Sequence, residues 1–221
     1  MNNILKALKL DVYTAKAGYS KTIILYILVL LLGIRGESTV PILAIMLFSG
    51  LFSSFPFLIF NKNDDDKIYG ILPIHRKEIV AGRYLFAVLL GLLNLIISII
   101  LCLIAAFLSK QDINIFRLVV TISAAFWYYC FMISYDYPIY YKFSFSNSII
   151  LTSLPYFLIA LFFAFIAPNI NIAEMYEIYN TDLQLSAGQL ILVLLSGLFL
   201  GIIMLIISGF ISYRIFKNTA L

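Results

Sequence analysis

Charge is what this sequence most lacks. Only 12% of its 221 residues are Asp, Glu, Lys or Arg, while 63% are hydrophobic, against about 25% charged in a soluble globular domain. A soluble core of this size has no room for so much apolar surface, and the mean hydropathy of +1.03 agrees. The chain therefore reads as an all-α polytopic membrane protein. Histidine is nearly absent too. The single one, His75, excludes a paired-histidine metal motif. Ser98, Thr121, Ser123 and Ser134 have no base near them in sequence, as a nucleophile would need. The two cysteines, Cys102 and Cys130, fall in apolar runs without C-x-x-C spacing and read as small core residues. No G-x-x-x-x-G-K-[ST] phosphate loop is present, which excludes ATP hydrolysis by that machinery. Met1–Lys21 has no continuous apolar core or A-x-A-like site, so no cleavable signal peptide is expected. No polar block is long enough to fold alone, which predicts one domain.

What is present is a series of six apolar runs: Tyr19–Ile34, Val40–Phe60, Val80–Leu108, Leu118–Ile139, Ile149–Ala167 and Leu190–Tyr213. Each is set against the roughly 20 residues that a bilayer core requires. The first is short and is expected to begin in the interface. Ahead of it, residues 1–18 predict an interfacial amphipathic helix. At 100° per residue, Ile4, Leu5, Leu8, Val12 and Ala15 share a face, with Lys6, Lys9 and Lys16 to the other side. An N-terminal extension of the first span is the alternative. Arg83, near the start of the third run, is expected at headgroup level, because a central arginine costs about 2.5–3.5 kcal/mol on insertion scales.

Basic residues orient the bundle. Lys6, Lys9, Lys16, Lys21, Lys62, Lys67, Arg76, Lys77, Arg83, Lys142, Arg214 and Lys217 fall on one side, leaving only Arg35, Lys110 and Arg117 for the other. This asymmetry predicts cytoplasmic termini. The net charge of +4 is thereby explained by topology, with no nucleic-acid partner expected and membrane lipid as the natural counterpart. The outer segment 168–189 contains Glu174, Glu177 and Asp182 and no basic residue. Its apolar–acidic rhythm fits either a short helix at the outer leaflet or a plain connector. The fourth run is crowded with aromatic side chains, including Trp127 and Phe131, which fit an interfacial belt or the lining of a path for an amphipathic substrate. Asp136 is the one acidic residue inside a run, and an intramembrane carboxylate is a functional candidate unless it reaches the interface.

One stretch stands apart, Asn61–Tyr84, reading NKNDDDKIYGILPIHRKEIVAGRY. Asp64–Asp66 can cap a short helix and complement its dipole. Ile68, Ile71 and Leu72 then fall at i, i+3 and i+4 beside Tyr69, an apolar knob closed by Pro73. A short helix with an apolar tip suits docking into a groove on a soluble partner. A solvated loop with basic anchors is the bland alternative.

Leu72–Tyr84 resembles the "LP-x-x-R-x-EIV-x-x-RY" signature of bacterial ABC-2-type transporter permeases of half-transporter size, in which it follows an acidic segment after the second span. Pro138–Phe143 is similar to that family's "P-x-x-YKFG" after the fourth span, with departures at Ser144, where glycine is usual, and Asn147, where a basic residue is common. The resemblance implies one transmembrane domain over residues 1–221, with six transmembrane helices and a cytoplasmic coupling helix in the loop 61–79 between spans 2 and 3. It implies a homodimer of permeases and two copies of an ATP-binding subunit, with ATP and Mg on that partner and no cofactor on this chain. The coupling residues it implies are Asp66, Ile68, Tyr69, Ile71, Leu72, Pro73, Arg76 and Glu78, with Tyr141, Lys142 and Phe143 as a second cytoplasmic contact. Trp127, Phe131 and Asp136 are candidates for a translocation path.

The function expected is a permease subunit of an exporter for a hydrophobic or amphipathic substrate, namely a peptide, lipid or drug. Relatives that export amphipathic toxin peptides favour a peptide. Two other classes have requirements of their own. A substrate-capture subunit of a vitamin or metal importer needs a compact polar pocket, for which Asn94 and Asp136 are the candidates. An intramembrane enzyme needs a nucleophile and base, or metal ligands, that this sequence does not supply.

Overall fold

The computed structural model describes residues 3–19, 22–57, 75–143, 145–165 and 187–218. Among these residues there are helices and no strands. They are α1 (Asn3–Tyr19), α2 (Thr22–Arg35), α3 (Val40–Ser53), α4 (Arg76–Ser109), α5 (Ile115–Lys142), α6 (Phe145–Phe165) and α7 (Ala187–Asn218). Four helical stretches are long and apolar enough to cross a membrane: Val40–Phe57, Arg76–Ser109, Ile115–Lys142 and Gly188–Asn218. Thr22–Arg35 and Asn147–Leu158 are shorter apolar helices. At 1.5 Å per residue the 14 residues of α2 reach only about 21 Å, less than a bilayer core.

α5 and α4 organise the rest. α7 packs along α5, and α4 touches α1, α2, α3, α5 and α7, while α6 meets α5 at the edge. The α5–α7 seam is close because Gly197 and Gly201 of α7 face Ser123 and Cys130 of α5, where a Cβ would have no room. Small residues at such seams let backbones approach, which is how helices associate in lipid. Both cysteines are buried free thiols.

Several boundaries differ from the sequence expectation, each for a local reason. α4 begins at Arg76, so Arg76–Ile79 form its first turn and are not part of a loop. Its start is fixed by Glu78, whose carboxylate accepts the His75 backbone N–H at 2.9 Å. α4 ends on Lys110, which adopts the left-handed conformation (φ 55°) and donates its N–H to the Ala106 carbonyl.

α5 does not stop near Pro138 but runs through it to Lys142. Proline lacks the N–H that would bond the carbonyl four residues back. That carbonyl belongs to Ser134, and the Ser208 hydroxyl of α7 donates to it at 2.8 Å. Pro155 in α6 is treated alike, the freed Leu151 carbonyl accepting the Tyr135 hydroxyl at 3.2 Å. Neighbouring hydroxyls thus satisfy the backbone groups that proline would leave bare in lipid.

α1 is a helix, as expected, and small residues beside its apolar face pack on the bundle. Ala7, Asp11 and Ala15, four residues apart, are its buried positions, whereas Leu5 and Val12 are exposed. The approach to α4 is tight, since a Cβ on Gly82 would lie 2.7 Å from the Ala7 Cβ. Lys6, Lys9 and Lys16 do point away from the bundle. The coupling candidates Asp66, Ile68, Tyr69, Ile71, Leu72 and Pro73 lie outside the described residues, as does 168–186 of the outer segment.

Candidate functional site

The ends of α1, α3, α4, α5 and α7 meet at one end of the bundle, around Arg83. This arginine is 6% exposed, enclosed by side chains of the bundle. Its guanidinium lies 4.2 Å from the centre of the Phe57 ring and 5.5 Å from that of Tyr141. Arginine over aromatic faces in a desolvated site is attractive. Its Nε is also 3.9 Å from Asp11 Oδ1 on α1. The distance is that of an ion pair, not of a hydrogen bond, and neither Asp11 oxygen receives a hydrogen bond from a described residue. Burial therefore outweighs Arg83 and pushes the Asp11 carboxyl up to about 6.

Aromatic packing continues the cluster. Phe57 packs on Tyr137, Tyr140 and Tyr141, and Tyr137 stands edge-on to Tyr84 of α4 at 5.0 Å. The Tyr137 hydroxyl donates to the Ser53 carbonyl at 3.0 Å. Tyr84 shares hydrogen bonds with Ser208 (2.6 Å) and Ser212 (2.9 Å), which ties α4 to α7.

Arg76 and Glu78 hold the first turn of α4 to its neighbours. Arg76 Nη1 donates to the carbonyls of Phe216 (3.0 Å) and Lys217 (2.9 Å) and so caps the end of α7. Glu78 accepts from the Asn3 side chain of α1 at 3.1 and 3.3 Å. Segment 58–74 therefore runs between Phe57 and His75, two points gripped by the same assembly. Of the second motif, Tyr141 is buried between Phe57 and Phe216. Lys142 and Phe143 are exposed, with the ammonium over the Phe143 ring at 5.3 Å.

The three path candidates are not brought together. Trp127 and Phe131 stack one turn apart on α5, ring centres 6.0 Å apart. Asp136 lies about 140° round the helix from Phe131. It is 3% exposed and close enough to Tyr128, Tyr140 and Tyr156 to act on them electrostatically. Its Oδ1 has no hydrogen-bond partner among the described residues. Asn94, the importer-type candidate, is fully buried, and its carbonyl oxygen is taken by the Tyr26 hydroxyl at 2.8 Å. No group of His, Cys, Asp and Glu able to hold a metal occurs among the described residues.

At the opposite end, Arg117 pairs with Glu37 at 2.9 Å, and Gln111 bridges to Gly36 and Ser38. Sequence reasoning missed Asp11, which sits on a helix read as interfacial. The signal available was Ala7 and Ala15, one helical repeat either side of it, together with Gly82 beside Arg83.

A sequence model of the family described as "ABC-2 family transporter protein" matches residues 7–217 of the chain. No curated protein and no solved structure matches it.

Proposed function

The chain belongs to the ABC-2 transporter family, and from that premise we propose that it is the permease subunit of an exporter driven by ATP hydrolysis on a separate subunit. In this reading six helices span the membrane and both termini are cytoplasmic, with α1 lying along the inner leaflet. The end of the bundle that carries Arg83 faces the ATPase, and the permease works as a homodimer with two ATPase copies that hold ATP and Mg. The substrate is hydrophobic or amphipathic, a peptide by preference.

The observation that carries the reading is the grip of Arg83 on both sides of segment 58–74. It stacks on Phe57, at the end of the helical stretch before the segment, while its own helix begins just after it. A push on the segment would displace α3 and α4 together. Asp11 and Glu78 would carry α1 along, and Arg76 the end of α7. ATPase closure would thereby bias the bundle between two packed arrangements, as a differential contact must.

The test is to replace Leu72 or Tyr69 with Asp, which places a charge on the predicted apolar knob. Loss of ATPase co-purification and of transport-linked ATP turnover is expected, with the permease still folded by thermal melting. Unchanged co-purification and turnover would overturn the coupling role.

A further inference from the structure

We propose that the groove between α4 and α7 is a binding site for an anionic phospholipid, holding one acyl chain along the groove and the phosphate in a basic pocket at its end. The groove has a volume of about 710 Å³ and is almost wholly apolar, with Val88 on one wall and Ile202, Leu205 and Phe210 on the other. That falls within the roughly 300–1,000 Å³ of ligand cavities. Phe210 is 68% exposed and forms a raised edge.

The polar atoms nearest the floor are already used. The Tyr84 hydroxyl is bound to Ser208 and Ser212, so the wall of the groove is left to apolar contact. An open apolar groove of this kind is covered by an apolar chain at least cost.

At its end the groove runs into a second pocket of about 350 Å³, lined by His75, Arg76, Lys77, Tyr213 and Lys217. Lys77 and Tyr213 line both, so the two are continuous. The acid on the same turn, Glu78, is turned to Asn3 and the His75 N–H. Arg76 is held on the α7 carbonyls and fixes the two helix ends around the pocket. Lys77 and Lys217 are exposed, and neither is in an ion pair with a described residue. A long apolar groove that ends in two ammonium groups matches one acyl chain and the phosphate of an anionic phospholipid. Basic pockets between transmembrane helices are where anionic headgroups bind. A peptide helix or a second copy of the chain would meet the same groove, but the ammonium pair at its end favours a phosphate.

Gly209 makes the site testable. A Cβ there would meet no atom within 4 Å, and Gly209 lines the groove, so Gly209→Leu directs a side chain into it. The probe is the purified full chain in detergent, exposed to phosphatidylglycerol or phosphatidylcholine with identical acyl chains, and bound lipid is counted by native mass spectrometry. The wild type is expected to retain phosphatidylglycerol about tenfold better. The double variant Lys77→Gln/Lys217→Gln is expected to lose that preference while still binding both lipids weakly. Gly209→Leu is expected to lose both, with its melting temperature unchanged. Equal retention of the two lipids by the wild type overturns the proposal, as does undiminished binding in Gly209→Leu. Loss of dimer mass in Gly209→Leu with lipid retained would assign the groove to a second copy of the chain instead.

Discussion

Asp11 and Asp136 are both carboxylates withdrawn from solvent, at 0% and 3% exposure, yet their surroundings differ. Asp11 has Arg83 beside it and fixes α1 against α4. Asp136 is in no ion pair with a described residue, and its Oδ1 has no hydrogen-bond partner among them. A buried pair links two elements, whereas an intramembrane acid without a counter-charge is a candidate for function. The sequence suggests the second kind, because an acid inside an apolar run stands out. It hides the first, because the partner is 72 positions away.

The largest effect should come from breaking the pair. Arg83→Met leaves the Asp11 carboxylate buried and uncompensated and removes the contact with Phe57 and Tyr141. The expected loss is about 3–5 kcal/mol of stability, read as a fall in melting temperature in detergent. Adding Asp11→Asn to that variant should recover part of it, as a double-mutant cycle measures. No recovery would mean that Arg83 acts through its aromatic neighbours alone.

Next comes pH. The Asp11 carboxyl stands at about 6 in the folded chain and 3.8 in the unfolded one, so the folded state holds the proton more tightly. Its burial penalty is present above pH 6 and is relieved as the pH falls from 6 towards 3.8. The relief is at most roughly 3 kcal/mol. Melting temperature should therefore rise on mild acidification, and Asp11→Asn should flatten that rise. The same rise in the variant would assign it to other acids.

The helical character, the apolar runs behind α3, α4, α5 and α7, and the gathering of basic residues at one end were all legible in the sequence, because each depends on local composition. Other features depend on distant partners. The fourth run ends at Ile139 in the sequence, yet the helix continues to Lys142, with the Ser208 hydroxyl, 74 positions away from Ser134, satisfying the carbonyl that Pro138 frees. The periodicity of α1 shows its apolar face but not the contact of Ala7 with the bundle, which exists because Gly82 of α4 admits it. The burial of Arg83 is not legible because the ring of Phe57 and the charge of Asp11 come from other elements. Tyr141 reads as a surface contact, although the end of α7 covers it.

The smallest effects separate the two surroundings most finely, through tyrosine hydroxyls. Near Asp11, the fully buried Tyr137 hydroxyl donates to the Ser53 carbonyl at 3.0 Å. Tyr137→Phe removes that donor and leaves the carbonyl of Ser53 bare, at a cost of about 1 kcal/mol. Near Asp136, the Tyr156 hydroxyl has no hydrogen-bond partner among the described residues. Tyr156→Phe deletes a buried polar atom that bonds nothing, so stability should stay level or rise by a few tenths of a kcal/mol. Its effect should appear in transport instead, if the Asp136 surroundings serve the substrate. Parallel melting curves of the two variants measure this. A loss in Tyr156→Phe as large as in Tyr137→Phe would show that the tyrosines around Asp136 are bonded like those around Arg83, and the two acids would then share one structural role.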